Sequence, residues 1–223
     1  MSETAKVQVP WSDIDTLLLD MDGTLLDLAF DNFFWLELVP QEYAKANNLA
    51  PDAARDEVLA RTGAIAGTLA WYCIDHWSNE LGLDIERLKR LHRHRIRYLP
   101  GARDFIALAR RLGKKLVLVT NAHQVTIRIK SDQTGVAELM DAVVSSHDYQ
   151  IEKEQTGFWQ RLEDEHQIEP ERCLLIEDSI AILGTARRFG VGHGIAIRRP
   201  DTTREPRRVE EFAAVDGVES LIG

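Results

Sequence analysis

Residues 16–28 read TLLLDMDGTLLDL. A short apolar run, Thr16–Leu19, ends in two aspartates separated by one methionine, Asp20 and Asp22. Carboxylates are among the side chains least often buried unless a charge or a cation pairs with them. Two readings of this strand end compete. Either the pair is a polar terminus tied down by backbone amides, or it holds a cation and does chemistry. Gly23 permits a tight turn here, and Thr24 is expected to hydrogen-bond within that turn.

Further along, residues 115–119, 142–145, 173–176 and 194–197 are short, apolar and often β-branched, as buried strands are. Helical patterns alternate with them. Residues 104–112 are apolar at Phe105, Ile106, Leu108, Ala109 and Leu112, and residues 154–166 and 179–189 behave similarly, the last ending at Gly190. Alternation of this kind predicts an α/β fold, a doubly wound and mostly parallel sheet covered by helices on both faces.

Between Leu28 and Leu99 the rhythm breaks. The pattern there is helical throughout, with Phe30, Phe33, Phe34, Leu36 and Leu38 leading into an alanine-rich stretch from Tyr43 to Leu59. Next come residues 69–81, carrying Trp71, Tyr72, Ile74 and Trp77, and then residues 85–98. This predicts an all-helical cap domain, residues 29–98, inserted into a core made of residues 1–28 and 99–223, with hinges near residues 27–29 and 98–101. The arginine-rich segment 198–208 reads as a surface loop.

The 44% apolar content of the 223 residues suffices for a sizeable core, and the formal net charge of −9 argues against nucleic-acid or anionic-membrane binding. The two cysteines, Cys73 and Cys173, sit among apolar residues far apart; both are expected to be buried, and their spacing suggests neither a disulfide framework nor a zinc site. The N-terminus lacks a signal-peptide core and no apolar run approaches the ~20 residues of a membrane span, so a cytoplasmic protein is expected.

In open parallel sheets, ligands bind outside the carboxyl ends of the strands, near a topological switch point. The residues that follow the predicted strands are Asp20 and Asp22, Thr120 and Asn121, Lys153 beyond the third, and Glu177 with Asp178. Carboxylates, a hydroxyl and a lysine brought together suit magnesium-dependent phosphoryl transfer.

DMDGT at residues 20–24, VTNA at 119–122, Lys153, and IEDS at 176–179 resemble, in order and spacing, the four motifs of the haloacid dehalogenase-like (HAD) hydrolases. The helical stretch after the first motif resembles their type I cap. LLLDMDGTLLDLAFDNFFW, LAWYCIDHW and TNAH are similar to the bacterial purine 5'-nucleotidases of that superfamily that act on GMP and IMP. The resemblance implies an aspartyl-phosphate mechanism. Asp20 is the nucleophile and Asp22 the general acid/base. Thr120 and Lys153 hold the transferring phosphoryl group, although Glu154 stands where most relatives have proline after the lysine. Mg²⁺ falls to Asp20, the main-chain carbonyl of Asp22, Asp178 and Glu177, the last either ligating directly or holding a metal-bound water. Asn121 and His123 are the substrate-side candidates, while Ser179 reads as a helix cap. Lys130 falls mid-helix and too early in the chain to replace Lys153.

The implied substrate is a small phosphomonoester, a purine nucleoside 5'-monophosphate by resemblance alone; no nucleic-acid, membrane or protein partner is implied. Phe33, Phe34, Trp35, Trp71, Tyr72 and Trp77 either stack on a base or form the module's core. Residues 88–98 (LKRLHRHRIRY) are locally basic and read as a solvated helix face, the alternative being a patch that attracts phosphate esters toward the cleft. Rival readings are a sugar-phosphate or small organic phosphatase, a phosphomutase using the same residues, and a non-catalytic binding protein on the same fold. The last fits poorly with a competent side chain at every motif position.

Overall fold

The computed structural model describes residues 7–222. Six parallel strands form one sheet in the order β3-β2-β1-β4-β5-β6. They are β1 (Thr16–Leu19), β2 (Lys115–Thr120), β3 (Ala142–Ser145), β4 (Cys173–Glu177), β5 (His193–Ile197) and β6 (Ala213–Val215). Sequence patterning predicts the first five within a residue at either end. β6 goes unpredicted, because its three residues carry no pattern longer than a turn. It extends the sheet by pairing with β5.

Side chains alternate across the strands, so both faces are apolar. Leu17, Leu19, Leu116, Leu118, Leu174 and Ile176 line one face, and Leu18, Val117, Val119, Leu175 and Ala196 the other. Leu19 pairs with Leu118 on one side and Ile176 on the other, which brings the ends of β1, β2 and β4 level. After β3 the chain crosses back over β2 and β1 to reach β4, so the direction of winding changes beside β1. That is the switch point where ligands bind.

Residues 29–98 contain helices and no strand: α1 (Ala29–Phe33), α2 (Val39–Asn47), α3 (Pro51–Ala64), α4 (Leu69–Tyr72), α5 (Ile74–Leu81) and α6 (Ile85–His92). A wide π turn, Phe34–Leu38, joins α1 to α2. The chain leaves and returns side by side: Leu26 bridges Tyr98, Leu99 N–H donates to Leu25 O, and Asp27 N–H donates to Arg97 O. Gly101 closes the return with φ of +69°, and a Cβ there would stand 2.4 Å from that of Glu219. Core helices follow as α7 (Ala102–Arg111), α8 (Gln124–Thr134), α9 (Ser146–Tyr149), α10 (Thr156–His166) and α11 (Ile180–Phe189).

Two expectations need correction. Segment 198–208 has loop backbone but is more than a surface loop. Asp201 is buried and accepts from Asn32, Thr202 donates to Asp27 through both N–H and hydroxyl, and Leu28 N–H donates to Pro200 O. The loop therefore straps the root of the helical segment. Cys173 is buried as expected, whereas Cys73 is only partly so. Among the described residues no helix is long and apolar enough to cross a membrane.

Candidate active site

Asp20 leaves the carboxyl end of β1 with its N–H still bonded to Ile176 O (3.1 Å), so the strand aims its buried carboxylate at the mouth of the sheet. Lys153 Nζ, from the loop before α10, lies 2.7 Å from Asp20 Oδ1, 2.7 Å from Glu177 Oε2 and 2.9 Å from Val119 O. These three contacts satisfy a buried ammonium completely. Burial alone would lower the lysine pKa, but the two carboxylates hold it well above the usual lysine range.

Asp20 Oδ2 is buried and has no hydrogen-bond partner. Carboxylate oxygens of Asp20, Glu177 and Asp178 lie within 4.8 Å of one another. Burial and the neighbouring Glu177 charge push Asp20 up to about 7, burial pushes Glu177 up to about 7, and burial with the charge of Asp20 pushes Asp178 up to about 6. An orphaned buried oxygen in a crowd of hard oxygen donors fits a divalent cation of the Mg²⁺ class. Glu177 is already engaged at both oxygens, by Lys153 and by Ser179 N–H (3.0 Å), whereas Asp20 keeps one free. Gly23, at φ +88°, is obligatory for this approach: a Cβ would sit 2.9 Å from Asp178 Cγ and 2.9 Å from Pro200 Cβ. Thr24 Oγ1, by contrast, is buried without a partner, so the turn hydrogen bond expected of it is not formed.

Thr120 is buried at the end of β2, and its Oγ1 accepts from Ala122 N–H (3.0 Å), which leaves the hydroxyl proton free to donate. Asn121 uses its whole side chain locally. Its Oδ1 accepts from Lys153 N–H (3.0 Å) and its Nδ2 donates to Glu154 Oε2 (2.9 Å). Glu154 also accepts from Tyr72 OH (2.9 Å). The residue that replaces the usual proline is thus a bridge between the helical segment and the core. Ser179 caps α11 by accepting from Ile182 N–H (3.4 Å), as expected. His123 caps α8 and points toward Asp75 and His147.

Asp22 has a lysine of its own as partner, Lys130 (2.5 Å). Position along the chain argues against Lys130, yet the fold buries it between Asp22 and Asp31, also at 2.5 Å. Asp31 in turn accepts from the buried Lys89 (3.1 Å). Burial opposes its ionisation, but Lys130 and Lys89 bring its pKa down to about 2; burial leaves Asp22 raised. The basic stretch 88–98 is therefore not wholly a solvated face. Both lysines carried a signal. Lys130 follows Ile127 at i+3 and Lys89 follows Ile85 at i+4, on apolar helix faces where a lysine is anomalous.

A cavity of about 640 Å³ opens above these groups. Asp20, Asp22, Thr120, Asn121, Lys153, Glu177 and Asp178 line its floor, and Asn32, Trp35, Leu59, Trp71, Tyr72, Trp77 and Lys89 its walls. The aromatic residues divide between roles. Phe34 is buried core and Phe33 packs under Arg95 (3.7 Å), while Trp35, Trp71, Tyr72 and Trp77 face the cavity.

Comparison with known proteins agrees with this architecture. The family model for haloacid dehalogenase-like hydrolases matches residues 14–190. The GMP/IMP nucleotidase YrfG of Escherichia coli (strain K12) is 34% identical over 216 residues, 97% of either chain. Among solved structures, a HAD phosphatase from Thermococcus onnurineus superposes with a TM-score of 0.78 at 21% identity, over 92% of this chain and 94% of that one. A putative beta-phosphoglucomutase from Thermotoga maritima gives 0.65 at 14% identity, over 94% and 97%. The two structural likenesses bear on the fold alone.

Proposed function

The chain belongs to the haloacid dehalogenase-like hydrolases and is a phosphoric monoester hydrolase; on that premise we propose that it is a Mg²⁺-dependent purine 5'-nucleotidase that releases phosphate from GMP and IMP through an aspartyl-phosphate. The observation that carries the chemistry is the Asp20 carboxylate, buried, held through one oxygen by Lys153 and bare at the other. Identity to the nucleotidase over nearly the full chain supports the substrate.

Asp20 attacks phosphorus in line, and the ester oxygen departs toward Asp22. Burial disposes Asp22 to carry the proton that the leaving alkoxide needs; it later takes one from the attacking water. Lys153 and the Thr120 hydroxyl bind the equatorial oxygens, and Asn121 with Glu154 fixes the loop that carries Lys153. Asp20, Asp178 and the Asp22 main-chain carbonyl would hold Mg²⁺, with Glu177 behind them orienting Lys153. When bound, the ion neutralises phosphoryl charge and lets Asp20 approach as a carboxylate. Residues 29–98 act as the cap. Their aromatic wall covers the nucleoside and excludes bulk water from the phosphoenzyme.

The test is phosphate release from GMP, IMP, AMP, CMP, glucose 1-phosphate and phosphoglycolate, with Mg²⁺ and with EDTA. Metal-dependent release confined to GMP and IMP supports the proposal. Turnover of sugar phosphates or phosphoglycolate instead would keep the mechanism and remove the nucleotide assignment.

A further inference from the structure

Outside the catalytic floor, a second cluster of ligating side chains spans the helical segment and the core. Cys73, between α4 and α5, meets His123 at the start of α8 and His147 in α9, with ligand atoms within 4.8 Å of one another. The two imidazoles meet edge to face at 4.9 Å between centroids. His147 Nε2 is buried and has no hydrogen-bond partner, an unsatisfied ring nitrogen on a member of the cluster. A carboxylate stands beside the cluster: Asp75 Oδ2 lies 3.8 Å from His123 Nε2 and is largely exposed, which leaves an approach from solvent. His123 Nδ1 accepts only a long bond from Val125 N–H (3.4 Å), so a half-turn of the ring offers either nitrogen.

We propose that Cys73, His123, His147 and Asp75 form a second metal site, for one borderline transition-metal ion of the Zn²⁺ class, distinct from the Mg²⁺ site. One thiolate, two imidazoles and one carboxylate are the donor types such ions take in tetrahedral geometry, whereas hard Mg²⁺ avoids thiolate and imidazole. Tetrahedral ligands on bonds of about 2.0–2.3 Å stand roughly 3.5 Å apart, so side-chain adjustments of about 1 Å bring Cys73, His123 and His147 onto one ion, and rotation of the exposed Asp75 side chain supplies the fourth donor. Two ligands come from residues 29–98 and two from the core. A bound ion ties these together beside the Tyr72–Glu154 bridge.

The test uses the full chain with Mg²⁺ in excess, so that the oxygen site is filled, and Co²⁺ as the probe. The expected result is about one equivalent of Co²⁺ with the intense visible bands of a tetrahedral site and a thiolate-to-metal charge-transfer band. Cys73→Ser should lose that band, His147→Ala should weaken binding by about tenfold or more, and Cys73→Ser should keep its phosphatase activity in Mg²⁺ alone. On the unmodified protein, Zn²⁺ should slow alkylation of the Cys73 thiol by about tenfold or more, since a metal-bound thiolate is a poor nucleophile. Weak octahedral Co²⁺ absorption that is the same in wild type and Cys73→Ser would overturn the proposal. So would a Cys73 alkylation rate indifferent to Zn²⁺.

Discussion

Two of the buried lysines at the candidate site, Lys153 and Lys130, are held in different ways. Lys153 has all its partners within the core: Asp20, Glu177 and the carbonyl of Val119. Lys130 is divided between Asp22 in the core and Asp31 in the helical segment, and Asp31 leans on Lys89 farther into that segment. The direct partners of the proposed nucleophile, Asp20, therefore all lie in the core, whereas the partner of the proposed acid/base, Asp22, is itself held from the helical segment. Breaking a buried pair by removing one partner typically costs about 3–5 kcal/mol, so each lysine matters to stability as well as to chemistry.

The largest effect expected is from Asp20→Asn, which removes the proposed nucleophile while keeping its shape. Activity should fall by about 10³-fold or more, with no phosphoenzyme trapped by acid quench. Lys153→Met should come next. It leaves Asp20 and Glu177 facing each other unpaired, so activity is lost and urea denaturation should show a loss of about 3–5 kcal/mol. Adding Glu177→Gln should restore much of the stability and none of the activity.

Asp31→Asn tests the contrast most directly, because Asp31 is proposed to touch no reacting atom. If Lys130 depends on it to hold Asp22, kcat should drop by about tenfold while KM changes less. An unchanged kcat would mean that the core alone sets Asp22 and would erase the distinction between the lysines. Tyr72→Phe is the mildest change. Losing one hydrogen bond across the same boundary should cost about 1 kcal/mol, read by thermal denaturation.

A pH experiment separates the two carboxylate groups. Asp20, Glu177 and Asp178 have folded-state values near 7, 7 and 6, above their unfolded ones, so the folded protein binds more protons through the intervening range. Stability in EDTA should therefore fall as pH rises from about 4 toward 7, and saturating Mg²⁺ should flatten that slope. Asp31 has the opposite sign. Its value is lowered to about 2, so its contribution is present above the unfolded value and lost as pH falls toward 2, independently of Mg²⁺.

Much of this site is legible in the linear sequence because its main parts are strand ends. Apolar β-branched runs mark the strands, parallel pairing brings their carboxyl ends level, and Asp20, Asp22, Thr120, Glu177 and Asp178 follow directly. Lys153 is legible by its place beyond the third strand. The helical character of residues 29–98 follows from its apolar spacing and lack of alternation. The π turn does not, because a one-residue change in hydrogen-bond register leaves no compositional trace.

What the sequence alone determines, then, is the set of elements, their order, and the charged residues at their ends, all governed by local periodicity and turn chemistry. Only the tertiary structure decides which distant side chains meet. Lys130 reaches Asp22 across 108 positions, Tyr72 reaches Glu154 across 82, and Cys73 comes to rest beside two histidines on different core elements. Those meetings depend on how the helical segment seats on the sheet. That seating is settled by the burial of shared apolar surface, summed over many residues, and no spacing between two of them encodes it.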